Sequence, residues 1–73
     1  MGYVIVVKGV NGKKFYVKKL RKRIAETTPY LHEAIVFHSV QQLRYEYKNS
    51  QGENFELEYY ENYITPYVMK IGG

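Results

Sequence analysis

The dipeptide Asn11-Gly12 constrains the fold of this chain more than any other feature. It separates two runs rich in β-branched and aromatic residues, YVIVVKGV and KKFYVKKL. Asn and Gly both tolerate the positive φ angles of a type I′ turn, which is the turn that best joins two twisted strands. The sequence therefore predicts a β-hairpin with Val10 opposite Lys13. In that register, Val4, Val6, Phe15 and Val17 share one face, and Tyr3, Ile5, Val7, Tyr16 and Leu20 share the other.

The stretch NSQGE predicts a second hairpin. A three-residue loop at residues 50–52, with Gly52 in the left-handed conformation, would join arms that alternate apolar and polar residues. The apolar pairs on one face are Tyr47 with Phe55, Tyr45 with Leu57, and Leu43 with Tyr59. We favour this hairpin because its alternation is unbroken over six residues on each arm.

A competing interpretation begins a helix at Ser39. The letters SVQQ have the spacing of a capping box, and Val40, Leu43 and Tyr47 would share one helical face. The sequence alone leaves both structures open for residues 40–49.

Between the hairpins, TTPYLHEAIVFHS is the preferred helix, with Thr28 as its cap and Pro29 at its first position. Residues 35–37 are also compatible with a short strand. The final YITPYVMKI is expected to be extended, with Pro66 confining it to a sheet edge. The fold class is therefore α+β. We predict one small domain over residues 1–73, an antiparallel sheet of two hairpins around one short helix (β-β-α-β-β) plus a C-terminal extended segment.

The chain has 73 residues and no cysteine. A single domain of this size lies near the lower limit for folding without disulfides or a metal. The lack of cysteine excludes disulfides and thiolate chemistry and suits a reducing compartment. No apolar run approaches the roughly 20 residues of a transmembrane helix, and no signal-peptide pattern is present. We expect a cytoplasmic protein with no membrane partner.

Charge divides the chain into two parts. Eight of the eleven Lys and Arg residues precede residue 26, and all seven Glu residues follow residue 25, so we expect an electrically polarised molecule. Basic residues interleaved with aromatic ones are typical of surfaces that bind nucleic acid, although a lysine-rich edge strand has the same pattern. We predict contact with DNA or RNA, or with a nucleic-acid-processing protein. The predicted nucleic-acid-binding residues are Lys13, Lys14, Tyr16, Lys18, Lys19, Arg21, Lys22 and Arg23, with Lys18 and Lys19 on opposite faces of their strand.

Nine tyrosines and no tryptophan mark the acidic half as a second candidate surface. Tyrosine provides a large, rigid contact at low entropic cost, although small sheets also use it to cover their faces. The alternative function is thus a protein-binding inhibitor or adaptor. Its predicted contact residues are Tyr45, Tyr59, Tyr60, Tyr63 and Tyr67. A third class is a structural subunit that assembles as a closed homo-oligomer.

Catalytic and metal-binding patterns are weak. The chain has no Asp, and Glu46, Glu56 and Glu58 are expected on a solvated sheet face. His32 and His38 have the spacing HExxxxH, which does not align two imidazoles as HExxH does. We therefore predict no enzyme activity, no metal and no cofactor.

The opening GYVIVVKGVNGKKFYVKKLRKR and the later EAIVFHS resemble short, uncharacterised proteins encoded by phages and mobile elements of Gram-positive bacteria. Members of that group begin with an NGK-type hairpin and carry an Ala-x-x-Phe-x-Ser segment. The resemblance covers under half of the chain. It implies an accessory role in which the protein blocks or redirects a host machine by direct binding.

Overall fold

A computed structural model describes residues 1–72, which form a four-stranded antiparallel sheet and one α-helix. The α+β class, the small antiparallel sheet and the single helix agree with the sequence, whereas the order of elements does not. The strands and helix are β1 (Gly2–Lys8), β2 (Lys14–Arg21), β3 (Ile24–Thr28), α1 (Val40–Gln51) and β4 (Tyr67–Ile71). The strand order in the sheet is β3-β2-β1-β4.

The first hairpin forms at the predicted place but in a different register. Asn11 and Gly12 both have positive φ angles, 72° and 73°, as predicted. The tip, however, contains three residues, because the Gly9 amide donates to the Lys13 carbonyl at 2.8 Å. The resulting cross-strand pairs are Lys8 with Lys14, Val7 with Phe15, and Val6 with Tyr16. A shift of one residue moves the side chains of one strand to the other face, so the predicted faces of Phe15, Tyr16 and Val17 are wrong.

A β-bulge near Lys18 changes the alternation within β2. The β2–β3 register shifts between Val17 and Lys19, which leaves Lys18 as an extra residue. Val17 and Leu20 therefore both pack on the helix side of the sheet. Lys18 and Lys19 lie between these two inward residues and are both exposed, so the prediction that they point to opposite faces is wrong.

The second hairpin is also wrong, because residues 40–51 form α1. The Ser39 side chain accepts a hydrogen bond from the Gln42 amide at 3.1 Å, and the Gln42 side chain accepts one from the His38 amide at 3.1 Å. Leu43 and Tyr47 face the sheet and are buried. A capped helix pairs most of its backbone amides and carbonyls internally and buries an apolar stripe, whereas an isolated two-stranded hairpin is only marginally stable in water.

The predicted helix between the hairpins is absent from this part of the described chain. Only Leu31–Glu33 form a short 3-10 turn, and the following residues are extended. The Ile35 amide donates to the Val17 carbonyl at 3.0 Å, and Phe37 exchanges two 2.9 Å hydrogen bonds with Tyr3. Residues 35–37 thus hydrogen-bond to both β1 and β2 at the end where these two strands separate. Burial of Phe37, which is 1 % exposed, outweighs the helix signals around Pro29.

Buried side chains lie on both faces of the sheet. The helix-side cluster contains Ile5, Val17, Phe37, Leu43 and Tyr47, and the cluster on the opposite face contains Val4, Val6 and Tyr67. β4 follows Pro66 at the sheet edge and pairs with β1, whereas residues 63–65, the first part of the predicted extended segment, form bends. Across the described residues, no helix has the length and apolarity needed to cross a bilayer.

Candidate nucleic-acid interface

The predicted basic residues follow β2 from one end of the sheet to the other. Lys13 precedes the strand, Lys14 begins it, and the bulge presents Lys18 and Lys19. Arg21 ends the strand, and Lys22 and Arg23 form the turn to β3. All seven cations are exposed, whereas Tyr16 is half-buried against Val6. A strand of this length spans about 25 Å, so the cations form an extended row.

Glu61, from the acidic half of the chain, neutralises Lys14 near the start of this row. Glu61 approaches Lys8 at 2.6 Å and Lys14 at 3.4 Å. The hydrogen bond from Lys8, followed by that from Lys14, lowers the pKa of Glu61. The pKa of Lys14 is raised by the negative charge that Tyr67 carries when ionised and by Glu61. The separation of positive and negative charge indicated by the sequence is therefore reduced near the Asn11-Gly12 tip.

The rest of the row keeps most of its charge. Arg21 pairs with Glu26 at 2.6 Å. No carboxylate within residues 1–72 forms an ion pair with the remaining cations. These five residues are Lys13, Lys18, Lys19, Lys22 and Arg23. Four of them lie at the bulge or the β2–β3 turn, and these two places hold most of the uncompensated positive charge of the row.

The β2–β3 turn is anchored to the end of α1. Arg23 has a φ of 64°, in the left-handed region, and its amide donates to the Ser50 carbonyl at 2.5 Å. The Gln51 side chain reaches the Arg21 carbonyl at 3.5 Å. Because a helix C-terminus carries partial negative charge, the end of α1 also stabilises the cations Lys22 and Arg23 in the turn beside it. The turn therefore holds Lys22 and Arg23 at a defined position against the helix.

Between this turn and the helix lies an open cleft of about 720 Å³, which we call the hairpin cleft. The lining from β2 and the turn is Leu20, Arg21 and Lys22, and the lining from α1 is Gln42, Tyr45, Glu46, Asn49 and Ser50. Positions three, four and seven residues apart share one face of a helix, which explains the stripe that begins at Gln42. Tyr45 is 68 % exposed, so its ring is accessible from solvent.

The predicted protein-binding tyrosines are separated by the fold. Tyr45 lies on α1 in the hairpin cleft, while Tyr59, Tyr60 and Tyr63 lie in the connection from α1 to β4 and are exposed. Tyr67 is only 3 % exposed, so its side chain is not available for a partner.

Three polar residues of the hairpin cleft were missed from the sequence. The sequence predicts no binding role for Gln42, Glu46 and Asn49, because the favoured hairpin places them on a strand. The signal was present in the competing helix, since a helix that buries Leu43 and Tyr47 exposes the stripe containing these three residues. A second cleft of about 430 Å³, between α1 and the segment after it, is lined by Arg44, Glu56 and Glu58, among others.

The two histidines are not brought into a metal site. His32 lies in the 3-10 turn, with its ring 5.7 Å from that of Tyr30, and His38 precedes the helix cap. Over residues 1–72, no three His, Cys, Asp or Glu side chains are grouped in a way that could hold a metal ion.

Comparison with known proteins gives no relative from which a function could be transferred. No family model matches the chain, and neither a curated protein nor a solved structure matches it.

Proposed function

We propose that this is a non-catalytic protein that binds nucleic acid along β2 and the β2–β3 turn. The observation that carries the proposal is the row of five exposed cations with no acidic partner among the described residues. Lysine and arginine contacts release the counterions condensed on phosphates, and this release drives binding without reading sequence. We also propose the cytoplasmic location expected from the sequence.

The proposal is tested by fluorescence anisotropy with labelled oligonucleotides, single-stranded and duplex, at several salt concentrations. We expect the affinity to fall as salt rises, with a slope of about −0.7 per phosphate contact for a single strand and about −0.9 for a duplex. Absence of detectable binding at about 20 mM salt, where charge screening is weak, would overturn the proposal.

A matched pair of variants locates the interface. Lys19→Ala removes an exposed cation at the bulge, and Lys70→Ala removes an exposed cation on β4. We expect Lys19→Ala to weaken binding and to reduce the salt slope, whereas Lys70→Ala leaves both close to wild type. Equal losses in the two variants would show that the protein binds through its net charge and not through β2.

A second candidate function has support from the connection between α1 and β4. Tyr59, Tyr60, Tyr63 and Ile64 are 49 %, 66 %, 82 % and 92 % exposed, which concentrates large apolar side chains in six residues. Aromatic residues are enriched in protein interfaces, and an exposed apolar cluster often marks one. We therefore propose, as the alternative, an inhibitor or adaptor of the phage accessory type that docks on a protein through this connection.

Affinity capture from a nuclease-treated lysate separates the two functions. Tyr60→Ser alters the connection, and Tyr30→Ser is its control, since Tyr30 has a similar exposure of 58 %. We expect one stoichiometric protein to be retained by wild type and Tyr30→Ser and to be lost with Tyr60→Ser. If the two variants retain the same proteins, the connection is not a docking surface.

A further inference from the structure

We infer that the hairpin cleft takes a single unpaired nucleobase and prefers one that carries an exocyclic amino group. This inference rests on the proposed nucleic-acid function and specifies its ligand as a single strand, either DNA or RNA. The cleft volume of about 720 Å³ is within the usual range for small-ligand sites. It combines an exposed aromatic ring, two cations and several side chains able to form hydrogen bonds with a base.

Tyr45 provides the face on which a base can stack. Its ring is 68 % exposed, and it projects from a helix whose opposite side is fixed by the buried Leu43 and Tyr47. A rigid aromatic side chain stacks on any base, and removing such a contact typically weakens binding about 5- to 150-fold. A base within a duplex is already stacked on both sides, so this contact favours an unpaired base.

The cations lie where the backbone of such a strand would leave the cleft. Lys22 lines the cleft, and Arg23 is the next residue in the anchored turn. Arg21 is also part of the lining, but its guanidinium is paired with Glu26. Lys22 and Arg23 are therefore the cations available for the phosphates on either side of the bound base.

Glu46 determines which base fits. A carboxylate repels phosphate but accepts hydrogen bonds, and it is the usual acceptor for the amino group of cytosine. Asn49 and the free amide nitrogen of Gln42 add donors beside it. Cytosine, adenine and guanine carry an exocyclic amino group, whereas thymine and uracil do not. The cleft therefore selects amino-bearing bases, with Glu46 as the residue that discriminates.

The test compares oligo(dC) with oligo(dT), and oligo(C) with oligo(U), each about 12 nucleotides long, by fluorescence anisotropy at one low salt concentration. Both members of each pair are pyrimidines of similar size, and they differ in their hydrogen-bonding edge: cytosine has a 4-amino donor beside an N3 acceptor, whereas thymine and uracil have a 4-oxo acceptor beside an N3–H donor. We expect the cytosine strand to bind about 3- to 10-fold more tightly, the effect of one hydrogen bond. A preference in the DNA pair, the RNA pair or both identifies the strand that the cleft accepts.

Three variants assign the roles. Tyr45→Ala should weaken both strands of a pair, while Tyr45→Phe, which keeps the ring, should not. Glu46→Gln should bring the ratio of the two affinities close to one and strengthen both, because it removes a negative charge and presents both a donor and an acceptor. Tyr30→Ala, at an exposed tyrosine outside the cleft, is the control and should change neither affinity nor ratio.

Failure of this inference can be distinguished from failure of the proposed function. If both strands bind equally, or if Tyr45→Ala has no effect while Lys19→Ala weakens binding, the protein binds phosphates along β2 and the cleft takes no base. Tighter binding of a duplex than of either single strand would also overturn the inference. If no oligonucleotide binds at low salt, both the inference and the proposed function are wrong.

Discussion

Arg23 occupies a backbone conformation that arginine rarely adopts. Its φ of 64° places it in the left-handed region, which costs an ordinary L-residue about 1 kcal/mol relative to glycine. The strain is maintained by the hydrogen bond from its amide to the Ser50 carbonyl. A cationic side chain at a position better suited to glycine is consistent with a role in binding.

We therefore expect Arg23→Gly to separate stability from affinity. Because glycine relieves the strain, the free energy of unfolding should stay equal or rise by up to about 1 kcal/mol in urea denaturation. Affinity for a single strand should fall, and the salt slope should decrease by about 0.7. Arg23→Lys, which keeps the charge, is the control and should bind nearly as wild type. A clear loss of stability in Arg23→Gly would show instead that the guanidinium supports the fold.

Tyr67 has a buried hydroxyl group with no hydrogen-bond partner among the described residues. Leaving a buried hydroxyl unpaired costs about 1 to 3 kcal/mol. Tyr67→Phe should therefore leave the free energy of unfolding unchanged or raise it by about 1 kcal/mol. The same variant removes the negative charge that ionised Tyr67 places near Lys14, so NMR titration should show the pKa of Lys14 moving down towards its usual value. A loss of more than about 1 kcal/mol would mean that the hydroxyl makes a stabilising contact in solution.

At the scale of single elements, α1 depends on its N-cap. The Ser39 side chain accepts from the Gln42 amide, satisfying a donor that the first turn cannot pair internally. Ser39→Ala should lower the free energy of unfolding by about 1 kcal/mol, measured by urea denaturation. Ser39→Asp keeps an acceptor at the cap and serves as the control. Equal stability of Ser39→Ala and wild type would mean that tertiary packing alone determines where the helix begins.

The elements also show why part of the fold could not be predicted from the sequence. Val4, Ile5 and Val6 are all 0 % exposed, because β1 is covered on both faces. A strand that is buried on both sides has no polar-apolar alternation, so its pattern carries no information about register. The turn at Asn11-Gly12 was therefore visible in the sequence, while the pairing that it sets was not.

An ambiguous apolar pattern also explains why residues 40–51 form a helix where the sequence favoured one arm of a hairpin. Leu43, Tyr45 and Tyr47 alternate like a strand, but Val40, Leu43 and Tyr47 have helical spacing, so both periods fit one short segment. Tyr47 and Phe55 were predicted as a cross-strand pair. They do contact each other, with ring centroids 6.0 Å apart, but as a helix residue and a residue of the following segment. The cap at Ser39 was the more informative signal.

At the scale of the whole molecule, Glu61 links the connection between α1 and β4 to the first hairpin. It pairs with Lys8, whose ammonium also lies 4.2 Å from the centroid of the Tyr63 ring. The folded state lowers the pKa of Glu61 below its usual 4.5. Its contribution to stability is therefore fully present above about pH 4.5 and is lost as the pH falls through the lower folded value.

This pH dependence is measured by thermal unfolding of wild type and Glu61→Gln between pH 6 and pH 3. We expect wild type to be more stable near pH 6 and the difference to shrink towards the acidic end, since protonated Glu61 and glutamine are both neutral. The NMR signals of Tyr63 should shift over the same range. A difference in stability that does not change with pH would rule out the ion pairs as its source.

Local chemistry in the sequence determined the first turn, the extended final strand at Pro66, the cap at Ser39 and the basic composition of β2. Tertiary structure decided the register of β1 and β2, the helix at residues 40–51 and the extended path through Phe37, because each depends on which apolar surfaces are buried together. It also decided the candidate site. Lys22 and Tyr45 are far apart in sequence and were assigned to different functions, and only the anchoring of the β2–β3 turn on α1 places them in one cleft.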